Sequence, residues 1–144
     1  MDIWEYFQQR DREVAEQSAA WDDDLGQPYA EEQGSNGQRG RIFGRVVLSE
    51  HAFLAVNEAV EVQGSGVTRS VYAYYLVYDG VELCGEERDP THTPPVHRHD
   101  RNHKRYPSSV ISFKEALTRA WAMLAAEEEL RTYDTQEPRQ PEES

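Results

Sequence analysis

One cysteine, Cys84, is all the chain contains. No intramolecular disulfide can form, which agrees with a reducing, cytoplasmic home. Long apolar runs are missing as well. None approaches the roughly 20 residues that a membrane-crossing helix needs. The opening MDIWEYFQQRDREV lacks the basic start and apolar stretch of a signal peptide, so the expectation is a cytoplasmic protein with no membrane partner. Apolar residues make up only 38% of the 144 residues and charged ones 29%. One core of ordinary size can form, with some of the chain left outside it. Positive charge is scarce: 15 Lys and Arg face 27 Asp and Glu, for a net charge of -12. Tight non-specific binding of nucleic acid by the surface as a whole is thereby disfavoured. No internal repeat is present.

The acidity belongs to the ends. Residues 1–37 hold ten acids and two bases, and residues 127–144 hold seven acids and two bases. The middle is close to neutral. Three segments follow from this: 1–40, an N-terminal helix and acidic linker; 41–126, an α+β domain; and 127–144, the end of a helix and a polar tail. Both acidic ends are expected to be disordered outside the helices. In the first segment DIWEYFQQRDREVAEQSAAW reads as a helix capped by Asp2, with Glu5 three residues on. Its apolar side is thin after Phe7, so loose docking is expected. The stretch from Asp22 to Gly40 reads as a flexible linker.

From Arg41 the pattern turns to period two. Ile42, Val46 and Leu48 share one parity. Leu54, Val56, Val60 and Val62 share another, with Glu58 among them. RSVYAYYLVYDG is the clearest strand, closed by the turn pair Asp79-Gly80, and VELCGEER pairs back onto it. These segments predict an antiparallel meander of about four strands. SFKEALTRAWAMLAAEEEL is a helix opened by a Ser112/Glu115 capping box. Phe113, Leu117, Trp121 and Leu124 recur at helical spacing, so this C-terminal helix should cover one face of the sheet. The fold class is therefore α+β, and TYDTQEPRQPEES is read as a tail.

What the chain does have is a concentration of histidine. Four of its five imidazoles lie within Arg88–Tyr106, RDPTHTPPVHRHDRNHKRY, among five cations. If 96–100 is extended, His97, His99 and Arg101 face one way, and Val96, Arg98 and Asp100 face the other. Two imidazoles about 7 Å apart on a strand, beside a guanidinium, suit metal-independent cleavage of RNA. One His takes the 2′-hydroxyl proton, the other protonates the leaving 5′-oxygen, and an Arg neutralises the phosphorane. His97 and His99 are the candidate acid and base. His92, Arg98, Arg101, His103, Lys104 and Arg105 are candidate substrate contacts. The rival chemistry is a metal held by His92, His97, His99 and His103 with Asp89 and Asp100. Interleaved cations would repel a divalent ion there, and the spacing matches no strong zinc pattern, so no metal and no cofactor are expected. A solvated loop of inert histidines is the bland alternative. His51 reads as a turn residue and Cys84 as a buried thiol. Tyr72, Tyr74 and Tyr78 read as core rather than as a base-stacking face.

The order of parts resembles a known family. An L-x-V-x-E run (Leu54, Val56, Glu58) precedes a Tyr-rich strand. Arg88-Asp89, a Pro/His loop, the H-x-H of His97 to His99 and a final helix follow. Over 41–126 this resembles the TumE-like toxins of toxin–antitoxin systems, which are small α+β proteins encoded beside a DNA-binding antitoxin. Arg88 and Asp89 are adjacent here and Pro90 follows, where the family commonly has a Tyr between them and an Asn after. The resemblance implies an antitoxin protein as partner and adds Arg88 and Asp89 to the catalytic candidates. RNA as substrate, and self-association as a homodimer, complete the expected partners. The competing expectation is a non-catalytic module that binds RNA or a protein. The acidic segment 1–37 is also a candidate restraint on the basic loop, competing with phosphate for Arg98, Arg101, Lys104 and Arg105.

Overall fold

A computed structural model describes residues 1–33 and 38–136, with side chains to 133. It is an α+β fold. Helix α1 (Ile3–Glu16) is followed by strands β1 (Ala20–Trp21), β2 (Tyr29–Glu31), β3 (Arg39–Val47), β4 (Ala52–Gln63), β5 (Gly66–Tyr78), β6 (Val81–Arg88), β7 (Val96–His99) and β8 (Arg105–Pro107). Helix α2 (Phe113–Gln136) closes the described chain. The strands form one antiparallel sheet ordered β1-β3-β4-β5-β6-β7-β8, with β2 also paired to β3. The meander thus has eight strands rather than about four. The additional ones are short and lie at the sheet edges, where two to four residues carry too little periodicity to stand out.

The period-two segments behave as their pattern requires. Ile42, Glu58 and Tyr72 stand in one row across β3–β5, and Val46, Leu54 and Leu76 in another. All six are buried under the two helices, with Ile3, Phe7, Phe113, Leu117 and Leu124 packed against this core. The β5–β6 turn at Asp79-Gly80 takes φ of 46° and 80°, the left-handed pair that a tight hairpin demands. Both helix starts are capped as expected. The Glu5 N–H donates to Asp2 Oδ1 at 2.8 Å, and the Glu115 N–H donates to Ser112 Oγ at 3.1 Å.

Several expectations are corrected. Helix α1 docks firmly, because Tyr6 adds to Ile3, Phe7 and Val14 and all four are buried. Gly40 permits this approach, since a Cβ there would lie 2.7 Å from Phe7 Cζ. The helix ends at Glu16, and Ala20–Trp21 is strand. The supposed linker is partly ordered on the sheet. Tyr29 pairs with Ile42, stacks on Phe7 and donates its hydroxyl to Asp11. Only 34–37 of that stretch falls outside the described residues. At the other end α2 runs on through 132–136, and 137–144 lies outside the described residues. Strands β1 and β2 occupy the sheet edge opposite β7 and β8. The described part of the acidic segment, through Glu32, is therefore held at the sheet edge away from the cationic loop that it was a candidate to restrain.

Glu58 is fully buried in the apolar row and accepts the Tyr6 hydroxyl. Beside it Arg69 donates to the Tyr74 hydroxyl at 2.7 Å and to the Ile111 carbonyl at 2.6 Å. This polar cluster links α1, β4, β5 and the entry to α2. Burial first, and then the Glu58 charge, push the Tyr6 phenol well above its usual range. No helix of the described chain is long and apolar enough to cross a membrane.

Candidate functional site

The helices cover one face of the sheet, and among the described residues no helix covers the other, called here the open face. Residues of opposite parity to the core line a groove of about 590 Å³ on that open face. Phe43, Phe53, Val71 and Val77 give it an apolar floor, Arg45 lies over the Phe53 ring, and Glu87 and Asp89 stand at one end. Register decides what gathers there. Glu87 pairs with His97 and Gly85 with His99 across β6–β7, while Tyr75 pairs with Gly85 across β5–β6. All of these side chains belong to the open face. The β6–β7 connection, 89–95, folds back over them.

Glu87 is the hub. Its Oε1 lies 2.7 Å from His92 Nδ1, without hydrogen-bond alignment, and its Oε2 lies 3.2 Å from His99 Nε2. The Tyr75 hydroxyl donates to the same Oε2. His97 Nδ1 lies 2.8 Å from the Pro94 carbonyl oxygen, which only accepts, so Nδ1 carries the proton and Nε2 presents a lone pair when the ring is neutral. That Nε2 is 2.9 Å from His99 Nε2, and the two rings stack with centroids 4.8 Å apart. A proton on His99 Nε2 therefore serves both His97 and Glu87. Asp89 accepts the Thr91 N–H at 2.9 Å and the Thr91 hydroxyl at 2.7 Å, and these bonds hold its carboxyl below the usual range. Burial, and then the bond to Glu87, raise the Tyr75 phenol.

The sequence candidates divide by face. His92, His97, His99 and Asp89 come together. Arg88 pairs with Tyr72 and Val96, and Arg98 with Glu86, on the helix-covered side. Arg101 does not share the His97–His99 face, because β7 stops at His99. It turns instead to α2 and donates to Glu127 at 2.5 Å. His103 sits at the turn tip with φ of 61°, and Lys104 lies 5.3 Å from the Tyr106 ring. Asp100 builds that turn by accepting the N–H groups of Lys104 and Asn102. Arg105 pairs with His99 on the open face, and its charge acts on Tyr75. It stands where Arg101 was expected. Cys84 is half-buried, with its thiol pushed up to about 11 by burial and then by Glu86 and Glu82.

Exposure separates roles. The His97 side chain is 0% exposed, His99 12% and His92 31%. The groove itself is lined by Tyr75, Glu87 and Asp89 rather than by the histidines, and of the three imidazoles beside it His99 and His92 are partly exposed while His97 is not. Sequence reasoning missed Glu87 and Tyr75. Tyr75 has the parity opposite to Tyr72 and Tyr74, and Glu87 shares its parity with Asp89, but only the β6–β7 register brings them to the histidines. No family model matches the chain, and no curated protein or solved structure is significantly similar to it. The likeness to TumE-like toxins rests on the motifs alone.

Proposed function

We propose that this is a toxin-like protein that cleaves RNA without a metal on the open face of its sheet, and that its partner is an antitoxin protein. The observation that carries the catalytic part is the placement of two partly exposed imidazoles, His92 and His99, on the two oxygens of one carboxylate, Glu87. One imidazole takes the proton of a ribose 2′-hydroxyl. The 2′-oxygen attacks phosphorus, the bond to the 5′-oxygen breaks, and the second imidazole protonates the leaving group. The products are a 2′,3′-cyclic phosphate and a free 5′-hydroxyl. Glu87 faces both rings and stabilises whichever becomes imidazolium. Arg105 is the cation placed to meet charge on the phosphorane. Phe43, Phe53 and Arg45 offer flanking bases a stacking surface. The motif resemblance supports the toxin and antitoxin part.

The test joins growth to chemistry. Induction of the wild-type chain without a partner should arrest bacterial growth, and the purified protein should cut labelled RNA in the presence of a chelator. It should not cut the same oligonucleotide with 2′-deoxyribose. His99→Ala and His92→Ala should each lower the cleavage rate by about 10²–10⁴-fold while leaving RNA bound. Equal toxicity and cleavage by wild type and variants would remove the catalytic reading. The apolar, aromatic groove also favours a second reading, non-catalytic RNA binding. That reading predicts binding that survives His99→Ala and weakens on Phe43→Ala or Arg45→Ala, with no cleavage by any form.

A further inference from the structure

We infer that His97, His99 and Glu87 form a binding site for one divalent transition-metal ion of the Zn²⁺ class. Three donor atoms converge there. His97 Nε2 and His99 Nε2 are 2.9 Å apart, and Glu87 Oε2 lies 3.2 Å from the second and 3.8 Å from the first. Ligands bound tetrahedrally at zinc, with bonds near 2.0–2.1 Å, stand about 3.3 Å from one another. The three observed separations bracket that edge.

The surroundings are those of a held ligand set. Metal-bound imidazoles characteristically donate their other N–H to a carbonyl or carboxylate, which fixes the ring and the tautomer. His97 does this with the Pro94 carbonyl, so its wholly buried ring presents Nε2 to the other two donors. Tyr75 does the equivalent for the carboxylate by donating to Glu87 Oε2. Two imidazole nitrogens facing each other at 2.9 Å need a proton or a cation between them. The partial exposure of His99 leaves a fourth position toward solvent. Two nitrogens and one carboxylate oxygen suit Zn²⁺, Co²⁺, Ni²⁺ or Cu²⁺ rather than Mg²⁺ or Ca²⁺. The cations expected to repel such an ion are mostly elsewhere: Arg98 is on the other face, and Arg101 is paired with Glu127. An ion here would take His99 out of the proton-transfer pair, so loading and metal-free cleavage are alternatives at one site. Binding itself does not depend on whether the protein cuts RNA.

The full-length chain, stripped of metal and titrated with Co²⁺, should take up one equivalent, with the intense visible absorption of a low-symmetry, four- or five-coordinate ion. Zn²⁺ should displace it and raise the thermal midpoint. Loss of a partner that merely orients a ligand costs 10–100-fold in affinity, so loss of a ligand should cost at least about 100-fold. His99→Ala, His97→Ala and Glu87→Gln should each do so, and His51→Ala should leave the affinity unchanged. If circular dichroism shows that His97→Ala does not fold, His99→Ala, at a partly exposed ring, and the near-isosteric Glu87→Gln decide. A second donor set, Glu82, His99 and His103, shares one ligand. Affinity retained in His103→Ala supports the assignment. Affinity lost in His103→Ala but kept in Glu87→Gln overturns it, as does a wild-type chain that shows no Co²⁺ spectrum and no Zn²⁺-dependent midpoint.

Discussion

Gly85→Ala tests the geometry of the site through a single methyl group. Gly85 stands directly opposite Tyr75, and the Tyr75 ring lies across it. A Cβ at this position would sit 2.3 Å from Tyr75 Cδ1, 2.7 Å from Cε1 and 3.3 Å from the Tyr74 carbonyl oxygen. Carbon atoms pack at about 3.5–4.0 Å, so the ring must withdraw by more than roughly 1 Å. Its hydroxyl is bonded to Glu87 and its edge meets His99, so withdrawal loosens both. Overpacking of this kind costs about 1–3 kcal/mol. Against it stands the benefit of replacing glycine in a strand, about 0.5–1 kcal/mol. Urea unfolding followed by tryptophan fluorescence should show Gly85→Ala destabilised by about 1–2 kcal/mol. In a Tyr75→Ala background the clash is gone, and the same substitution should be neutral or stabilising. The double-mutant cycle then reports a coupling of about 1–3 kcal/mol. Equal effects of Gly85→Ala in the two backgrounds would refute the packing argument.

Tyr6→Phe should destabilise the fold by about 1.5–3 kcal/mol, because the buried Glu58 carboxylate loses the hydroxyl that serves it. A urea midpoint equal to wild type would contradict this. Cys84, with its thiol pushed from 9.0 up to about 11, should carry a roughly hundredfold smaller thiolate fraction at pH 8. Its alkylation by iodoacetamide in the folded protein should be slower than in urea by about that factor, and comparable rates would contradict the burial. The imidazole of His51 is raised by its bond to Asp79 at 2.9 Å, with Glu50 adding a second acid. A raised folded value favours folding fully below the unfolded imidazole value, about 6.5, and the benefit is lost as pH rises through the folded value. The stability gap between wild type and His51→Ala should thus be larger at about pH 5.5 than at about pH 9, and a constant gap would show the pair to be idle.

The local regularities of this protein are written in its sequence. Alternation in β3, β4 and β5 is enforced by the two-residue repeat of a strand, and a misplaced parity would expose Ile42, Leu54 and Tyr74 together. The capping residues Asp2 and Ser112 and the Asp79-Gly80 turn act over three or four residues, so neighbours alone reveal them. The same alternation put His97 and His99 on one face. Short edge strands were hidden for the converse reason: Tyr29–Glu31 has no period to read, and it is strand because β3 offers it unpaired backbone. The docking of α1 depended on Gly40, whose missing side chain matters only once Phe7 lies against it.

The site divides along the same line. Sequence proximity grouped histidines and cations into one cluster, but proximity along a chain does not say which face a side chain joins. Where β7 ends at His99, Arg101 leaves the face and pairs with Glu127, while Arg105 returns on β8. Glu87 and Tyr75 are ten or more residues from His97 and His99 and reach them only through strand register. The burial of His97 comes from the loop folded over it. The types of chemistry available, imidazole and carboxylate, were determined by the sequence itself. Which atoms meet, and so whether the pair moves a proton or holds an ion, was decided by tertiary packing, because pairing across a sheet depends on register and closure that no single strand encodes.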